Sequence, residues 1–228
     1  LKGQNEPHLE GEILGMRADL RSPIGEQAQA MLDYQRARAA FRDSGIDHEV
    51  DRLLQGMAIA YRRMGDYAQA VNYFEQARPQ LQAKQDFEGL AVNLIQLGFL
   101  HDEAGAPDKA RTAFEQAIRV ASAHGDDTDR NGALLGLAEA QIALDQPQAA
   151  RATLDEAARR FAVARDDSSK DMLLLLGGKA LAKQGLHAEA LKHYDLAQPL
   201  MEASGNLRYL ALLEQARSAS EEALGRNH

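Results

Sequence analysis

The chain of 228 residues carries a formal charge of −8, with acidic and basic residues mixed along the sequence. It lacks the basic stripe of nucleic-acid-binding proteins, and the absence of cysteine excludes disulfides and thiolate metal sites. Hydrophobic residues make up 45% of the chain but aromatic residues only 5%, and Ala, Leu, Gln, Arg and Glu are prominent. This composition is typical of closely packed helices and predicts little sheet.

A unit of 40 residues repeats along the chain. Glycines at its turn recur at this spacing, at Gly25, Gly65, Gly105, Gly185 and Gly225, and Asp145 fills the missing turn. Nine residues after each turn stands a ring or a leucine, at Tyr34, Phe74, Phe114, Leu154 and Tyr194. The predicted repeats are approximately 8–45, 46–85, 86–125, 126–165 and 166–205, and 206–225 is a cap or a truncated sixth repeat.

Each repeat is predicted to contain two helices. In chain order, the clearest first helices are expected at 48–64, 88–104, 129–144 and 168–184, each carrying a bulky residue one turn before a small one. The small column consists of Ala58, Gly98, Ala138 and Gly178. The second helices carry the rings, and Pro79 and Pro199 late in two of them predict a kink or an early end.

These columns resemble the tetratricopeptide repeat, whose pattern is matched in the third unit by Gln96, Leu97, Gly98, Gly105, Ala110, Phe114 and Ala117. The resemblance implies an all-α fold, a right-handed α-α superhelical solenoid of antiparallel helix pairs with about 11 helices. It also implies a single domain over 1–228. In this family the first helices line the concave face, which binds polypeptides. The 40-residue spacing is most similar to that of peptide-pheromone receptors and kinesin light chains.

The repeat columns then predict the residues of a concave, partner-binding groove. They are Arg52, Gln55, Ile59, Arg62, Arg63, Ile95, Gln96, Phe99, Asp102, Glu103, Leu135, Glu139, Ile142, Leu175 and Lys179. Ile59, Ile95, Phe99, Leu135, Ile142 and Leu175 would make an exposed apolar floor, unless some of them belong to the core. The charges alternate in bands, with Arg62 and Arg63 in one repeat and Asp102 and Glu103 in the next.

This surface predicts a protein or peptide partner with an apolar, charged segment, or a second copy of the chain. The lysine and asparagine of a carboxylate clamp are absent, because Gln55 and Ile59 stand in their columns. Of the residues in the column that grips a peptide backbone in the pheromone receptors, only Gln96 could do so. We expect no nucleic-acid partner and no membrane insertion, because the longest strongly apolar run, 172–176, is too short to span a bilayer.

No catalytic, cofactor-binding or metal-binding motif is found in the sequence. The seven histidines form no i, i+4 pair, and neither a glycine-rich phosphate loop nor a nucleophile motif occurs. The chain is therefore predicted not to be an enzyme and to need no cofactor.

The segments 185–195 and 201–210 resemble the repeat region of bacterial sensory proteins. In particular, they are similar to the part that precedes the diguanylate cyclase (GGDEF) domain in proteobacterial membrane proteins. That resemblance implies a periplasmic input module of a longer signalling protein, in which ligand binding biases a downstream domain. The alternative is a freestanding cytoplasmic adaptor or the regulatory region of a transcription factor.

Overall fold

A computed structural model describes residues 7–45, 49–124, 127–164, 169–205 and 207–225. Within these ranges the chain forms eleven helices and no strand, so the predicted all-α fold of helix pairs is confirmed. The helices are α1 (Pro7–Arg21), α2 (Gln27–Asp43), α3 (Val50–Arg63), α4 (Tyr67–Lys84), α5 (Phe87–Glu103), α6 (Pro107–His124), α7 (Asp127–Ala143), α8 (Pro147–Ala164), α9 (Lys170–Lys183), α10 (His187–Ser204) and α11 (Leu207–Ala223).

The turn between the two helices of a repeat requires a left-handed residue. Gly65 has a φ of 78° there, a conformation that costs glycine nothing because it has no Cβ. Asp145 adopts a φ of 57° at the one turn without glycine, as its place in the repeat predicts. Pro79 and Pro199 do not end their helices, because α4 and α10 each continue for five residues beyond the proline. Of the two predicted outcomes, the early end is therefore wrong and the kink stays a prediction.

The chain divides into two compact units, Leu1–Gly105 and Ala106–His228. The division falls inside the third predicted repeat, at the turn between its two helices. The repeat boundaries and the single solenoid over 1–228 both stay predictions.

The core of the first unit is built where second-helix rings meet first helices. The Tyr34 ring of α2 lies over Gly56 of α3, where a Cβ added to the glycine would come within 2.6 Å of the ring. The Tyr34 hydroxyl donates to Asp19 Oδ1 at 2.6 Å. Buried Asp33 accepts from Arg17 Nε at 2.7 Å and from Arg21 Nη1 at 2.6 Å, and the Arg17 hydrogen bond lowers the pKa of this carboxyl.

The core of the second unit contains contacts of the same kind. Phe114 of α6 lies against Gly136 of the following helix α7, whereas Tyr194 of α10 lies against Gly178 of the preceding helix α9. Tyr194 is fully buried, and burial raises its pKa to about 12. The glycines of the first helices and the rings of the second helices therefore contact each other, because a glycine has no side chain in the space that the ring fills.

Candidate protein-binding surface

The first helices of the first unit are joined by side chains that the repeat columns predict to line the groove. Arg62 of α3 donates two hydrogen bonds to Glu103 of α5, from Nε to Oε2 at 3.0 Å and from Nη2 to Oε1 at 2.6 Å. Its remaining terminal nitrogen, Nη1, donates to Gln96 Oε1 at 3.2 Å. A bidentate arginine–carboxylate pair fixes both distance and orientation, so Arg62 sets the spacing of α3 and α5.

Helix α1 is attached to α3 along the same face. Arg52 Nη1 lies 2.7 Å from Asp19 Oδ2, and Arg63 Nη1 donates to the backbone carbonyl of Ser22 at 3.3 Å. The Arg52 side chain crosses Gly15, where an added Cβ would lie 2.8 Å from Nη2. Polar contacts therefore run from α1 through α3 to α5.

Only part of the predicted groove in this unit remains accessible. Ile59 is exposed, and Gln55, Gln96 and Phe99 are half-buried. Asp102 is half-buried as well. Accessible apolar and amide groups are therefore interspersed with the ion pairs.

The second unit contains the corresponding residues of α7 and α9. Lys179 Nζ lies 3.5 Å from Glu139 Oε1, and Lys183 Nζ lies 3.3 Å from Asp145 Oδ1. Leu135 is half-buried beside two core clusters. Lys179 thus links α9 to α7, and Lys183 links α9 to the turn that follows α7.

The expected exposure of three floor residues is wrong. Ile95, Ile142 and Leu175 are buried, with at most 8% of their surface exposed. Ile142 packs in a cluster that includes Leu154, and Leu175 packs in the cluster of Tyr194. These helices of 14 to 17 residues have neighbours on more than one side, so the buried arc is wider than a single core stripe.

Some members of the expected charge bands neutralise each other. Arg62 of one repeat pairs with Glu103 of the next, and Lys179 pairs with Glu139 of the repeat before it. Arg63 instead donates to the backbone carbonyl of Ser22, so the alternation of net charge that a ligand would follow stays a prediction.

Sequence reasoning missed several residues of this face. Gly15, Asp19 and Ser22 form the α1 part of it, and Val92 of α5 is exposed one turn before Gln96. A signal was available for Asp19, which stands 40 residues before Ile59 and 80 before Phe99. No groove residue is predicted in the first repeat, because its other columns match the repeat pattern least well.

The described residues give no sign of a metal site or a membrane span. No three His, Asp or Glu side chains among them come together as metal ligands would. No helix in the same ranges has the length and hydropathy needed to cross a bilayer.

Family models match parts of the chain as the same repeat. Models described as Tetratricopeptide repeat match residues 14–83 and 132–162, and a model described as Anaphase-promoting complex subunit 5 matches residues 57–131. No curated protein matches the chain.

Several solved structures are similar over most of the chain. The TPR-like repeats of a kinesin light chain candidate from Podosopora anserina have a TM-score of 0.73 at 16% identity, covering 89% of this chain and 99% of theirs. Aspartyl phosphate phosphatase F from Bacillus subtilis has a TM-score of 0.78 at 16% identity, covering 96% and 59%. The Rap conjugation gene regulator of plasmid pLS20, in complex with the Phr* peptide, has a TM-score of 0.70 at 17% identity. The match covers 97% of this chain and 61% of the regulator. This chain thus spans about three fifths of the last two proteins, and at these identities the likeness shows the fold alone.

Proposed function

The chain belongs to the tetratricopeptide repeat family, and from this premise we propose that it is a non-catalytic scaffold that binds a peptide or protein segment. The observation that carries the proposal is the row of Gln55 and Ile59 on α3 and Gln96 and Phe99 on α5. These groups stay at least partly accessible on helices that ion pairs hold in place.

The row suits a ligand with apolar anchors and a polypeptide backbone. Ile59 and Phe99 offer apolar contacts, while the amide of Gln55 can both donate and accept. Gln96 accepts from Arg62 through its oxygen, so its NH₂ group is the part that would donate to a ligand carbonyl. Because Arg62 and Glu103 already fix the helix spacing, little ordering entropy would be lost on binding.

The peptide-bound conjugation regulator supports this proposal by analogy, since a related fold binds a peptide there. We further propose that the chain is the sensory or regulatory input module of a larger bacterial signalling protein such as a diguanylate cyclase, located in the periplasm. The alternative is a freestanding cytoplasmic adaptor or the regulatory region of a transcription factor.

A peptide selection tests the binding function. Peptides selected from a random display library against the chain are labelled, and their Kd is measured by fluorescence anisotropy against wild type, Ile59→Glu and the matched control Leu32→Glu. Leu32 is an exposed leucine of α2. We expect Ile59→Glu to weaken binding at least tenfold with an unchanged melting temperature, while Leu32→Glu leaves Kd unchanged. Failure to select any peptide, or equal Kd values in all three proteins, would contradict the proposal.

The gene context tests the signalling role. An apolar segment of about 20 residues followed by a cyclase domain, downstream of His228 in the intact gene, would support the sensor. An open reading frame without either would support the adaptor.

A further inference from the structure

Helix α1 exposes an apolar stripe on the side facing away from its own core. Its core face is formed by Gly11, Leu14 and Ala18. The stripe consists of Leu9, Ile13, Met16, Leu20 and, just after the helix, Ile24. These five side chains are 46% to 73% exposed, and a helix that is apolar on both sides is normally covered on both.

The later first helices show that this side is normally covered. In α3 the positions 40 residues after Ile13 and Leu20 are Leu53 and Ala60, and both are fully buried. Gly56, which corresponds to Met16, receives the Tyr34 ring of the preceding helix.

Helix α1 is not shaped to receive such a ring. Gly56 in α3 and Gly136 in α7 leave room for Tyr34 and Phe114, but the same column in α1 holds Met16. Large side chains along the stripe suit an interdigitating seam better than a socket for a single ring. A helix with a row of large apolar side chains of its own would therefore fit against this stripe.

We infer that α1 forms a parallel two-stranded coiled coil with α1 of a second copy of the chain. Leu9 and Met16 occupy d positions and Ile13 and Leu20 occupy a positions of two successive heptads. Of these four residues, Ile13 at a and Leu9 at d are the choices that favour a parallel dimer. This surface is separate from the row of Ile59 and Phe99 and does not depend on its ligand.

The flanking charges favour the parallel orientation. Glu12 at a g position of one copy then faces Arg17 at the following e position of the other, twice by symmetry. Arg17 binds Asp33 through Nε and Nη2, so Nη1 takes part in neither of those bonds. An antiparallel pair would instead set Glu12 against Asp19. The stripe amounts to roughly 500 Å² of apolar surface per copy, so a dimer would bury about 1,000 Å², which is the size of a weak, reversible interface.

Sedimentation tests the association. Wild type should show a monomer–dimer equilibrium with a Kd in the micromolar range, on the order expected for so small an interface. Ile13→Glu should raise this Kd at least 100-fold without changing the melting temperature at concentrations well below the wild-type Kd, because Ile13 is exposed in the single chain. The matched control Leu32→Glu should leave it unchanged. A wild type that stays monomeric at 100 µM or above, or an Ile13→Glu variant that dimerises normally, would overturn the inference.

Single cysteines test the register without background, because the chain has none of its own. In the parallel pair, Leu9→Cys, Met16→Cys and Leu20→Cys should each form a disulfide with the same residue of the second copy on mild oxidation. The exposed control Leu32→Cys should not. Residues 9 and 20 are about 16 Å apart along the helix, so an antiparallel pair would link Leu9→Cys only to Leu20→Cys. That result, or linking no faster than in the control, would overturn the parallel coiled coil.

Discussion

Replacing Gly178 with alanine should destabilise the second unit although alanine is the better helix former. Gly178 lies inside α9, and an added Cβ would lie closest to Tyr194 Cε1 and within 2.7 Å of Cδ1 and 2.9 Å of Cζ. An ordinary contact begins at 3.4 Å, so Cδ1 would have to withdraw by about 0.7 Å and Cε1 by more. The ring is fully buried among Leu175, Ala190 and Met201, which leaves it little space to move.

The net effect follows from two opposing contributions. Overpacking of a filled core costs about 1–3 kcal/mol, and the gain in helix propensity from glycine to alanine offsets about 1 kcal/mol of it. We expect Gly178→Ala to lower the free energy of unfolding by up to about 2 kcal/mol. Gly132 is the matched control, because it lies within α7 with no atom within 4 Å of an added Cβ. Gly132→Ala should raise the stability by about 0.5–1 kcal/mol.

Urea titrations followed by circular dichroism measure both changes. The double variant Gly178→Ala with Tyr194→Leu adds a direct test of the contact. Removing the ring should abolish the cost of the alanine, giving a coupling of at least 1 kcal/mol relative to the sum of the single variants. If Gly178→Ala stabilises the chain as Gly132→Ala does, or if the coupling is zero, the glycine is not there to admit the ring.

Three further predictions concern buried polar groups. Asp33→Asn should lower the free energy of unfolding by about 1–2 kcal/mol. Because the pKa of Asp33 is lowered in the folded chain, this stabilisation is present above about pH 4 and is lost as the pH falls below it. The control Asp43→Asn, at an exposed position, should change the free energy of unfolding by less than about 0.5 kcal/mol. Because the pKa of Tyr194 is raised to about 12, stability should decline above about pH 10, by about 2 kcal/mol at pH 12 relative to Tyr194→Phe; parallel pH profiles of the two proteins would contradict this. Asn93 is fully buried and donates to the carbonyl of Phe74 at 3.1 Å, so Asn93→Leu should cost about 1–3 kcal/mol in urea titrations, and no change would mean that water replaces the bond.

The repeat columns made the helices predictable, because a 40-residue spacing assigns the same local environment to each member of a column. Asp145 at a glycine position follows from that spacing. The burial of Ile142 could not be predicted in the same way, since a column identifies a face but not how far neighbouring helices reach around it.

The pairing of charges between repeats was predictable in principle. Glu139 and Lys179 are 40 residues apart, and Arg62 and Glu103 are 41 apart, so each pair occupies matching places on successive first helices. Opposite charges that stand one repeat apart in the sequence lie next to each other in space. The prediction of charge bands took each repeat by itself. What the sequence does not contain is the rotamer that turns Arg62 toward the adjacent helix rather than toward solvent.

The Arg62 pair has a consequence for which ligands this surface can select. Glu103 already supplies Arg62 with two carboxylate oxygens, and Gln96 occupies the remaining terminal nitrogen. An acidic ligand could bind Arg62 only by displacing Glu103, an exchange that leaves one carboxylate unpaired and yields no additional ion pair. At Arg62 the proposed binding surface would therefore discriminate against ligands that rely on charge alone, and selectivity there would come from the shape of the apolar groups that a ligand places beside Ile59.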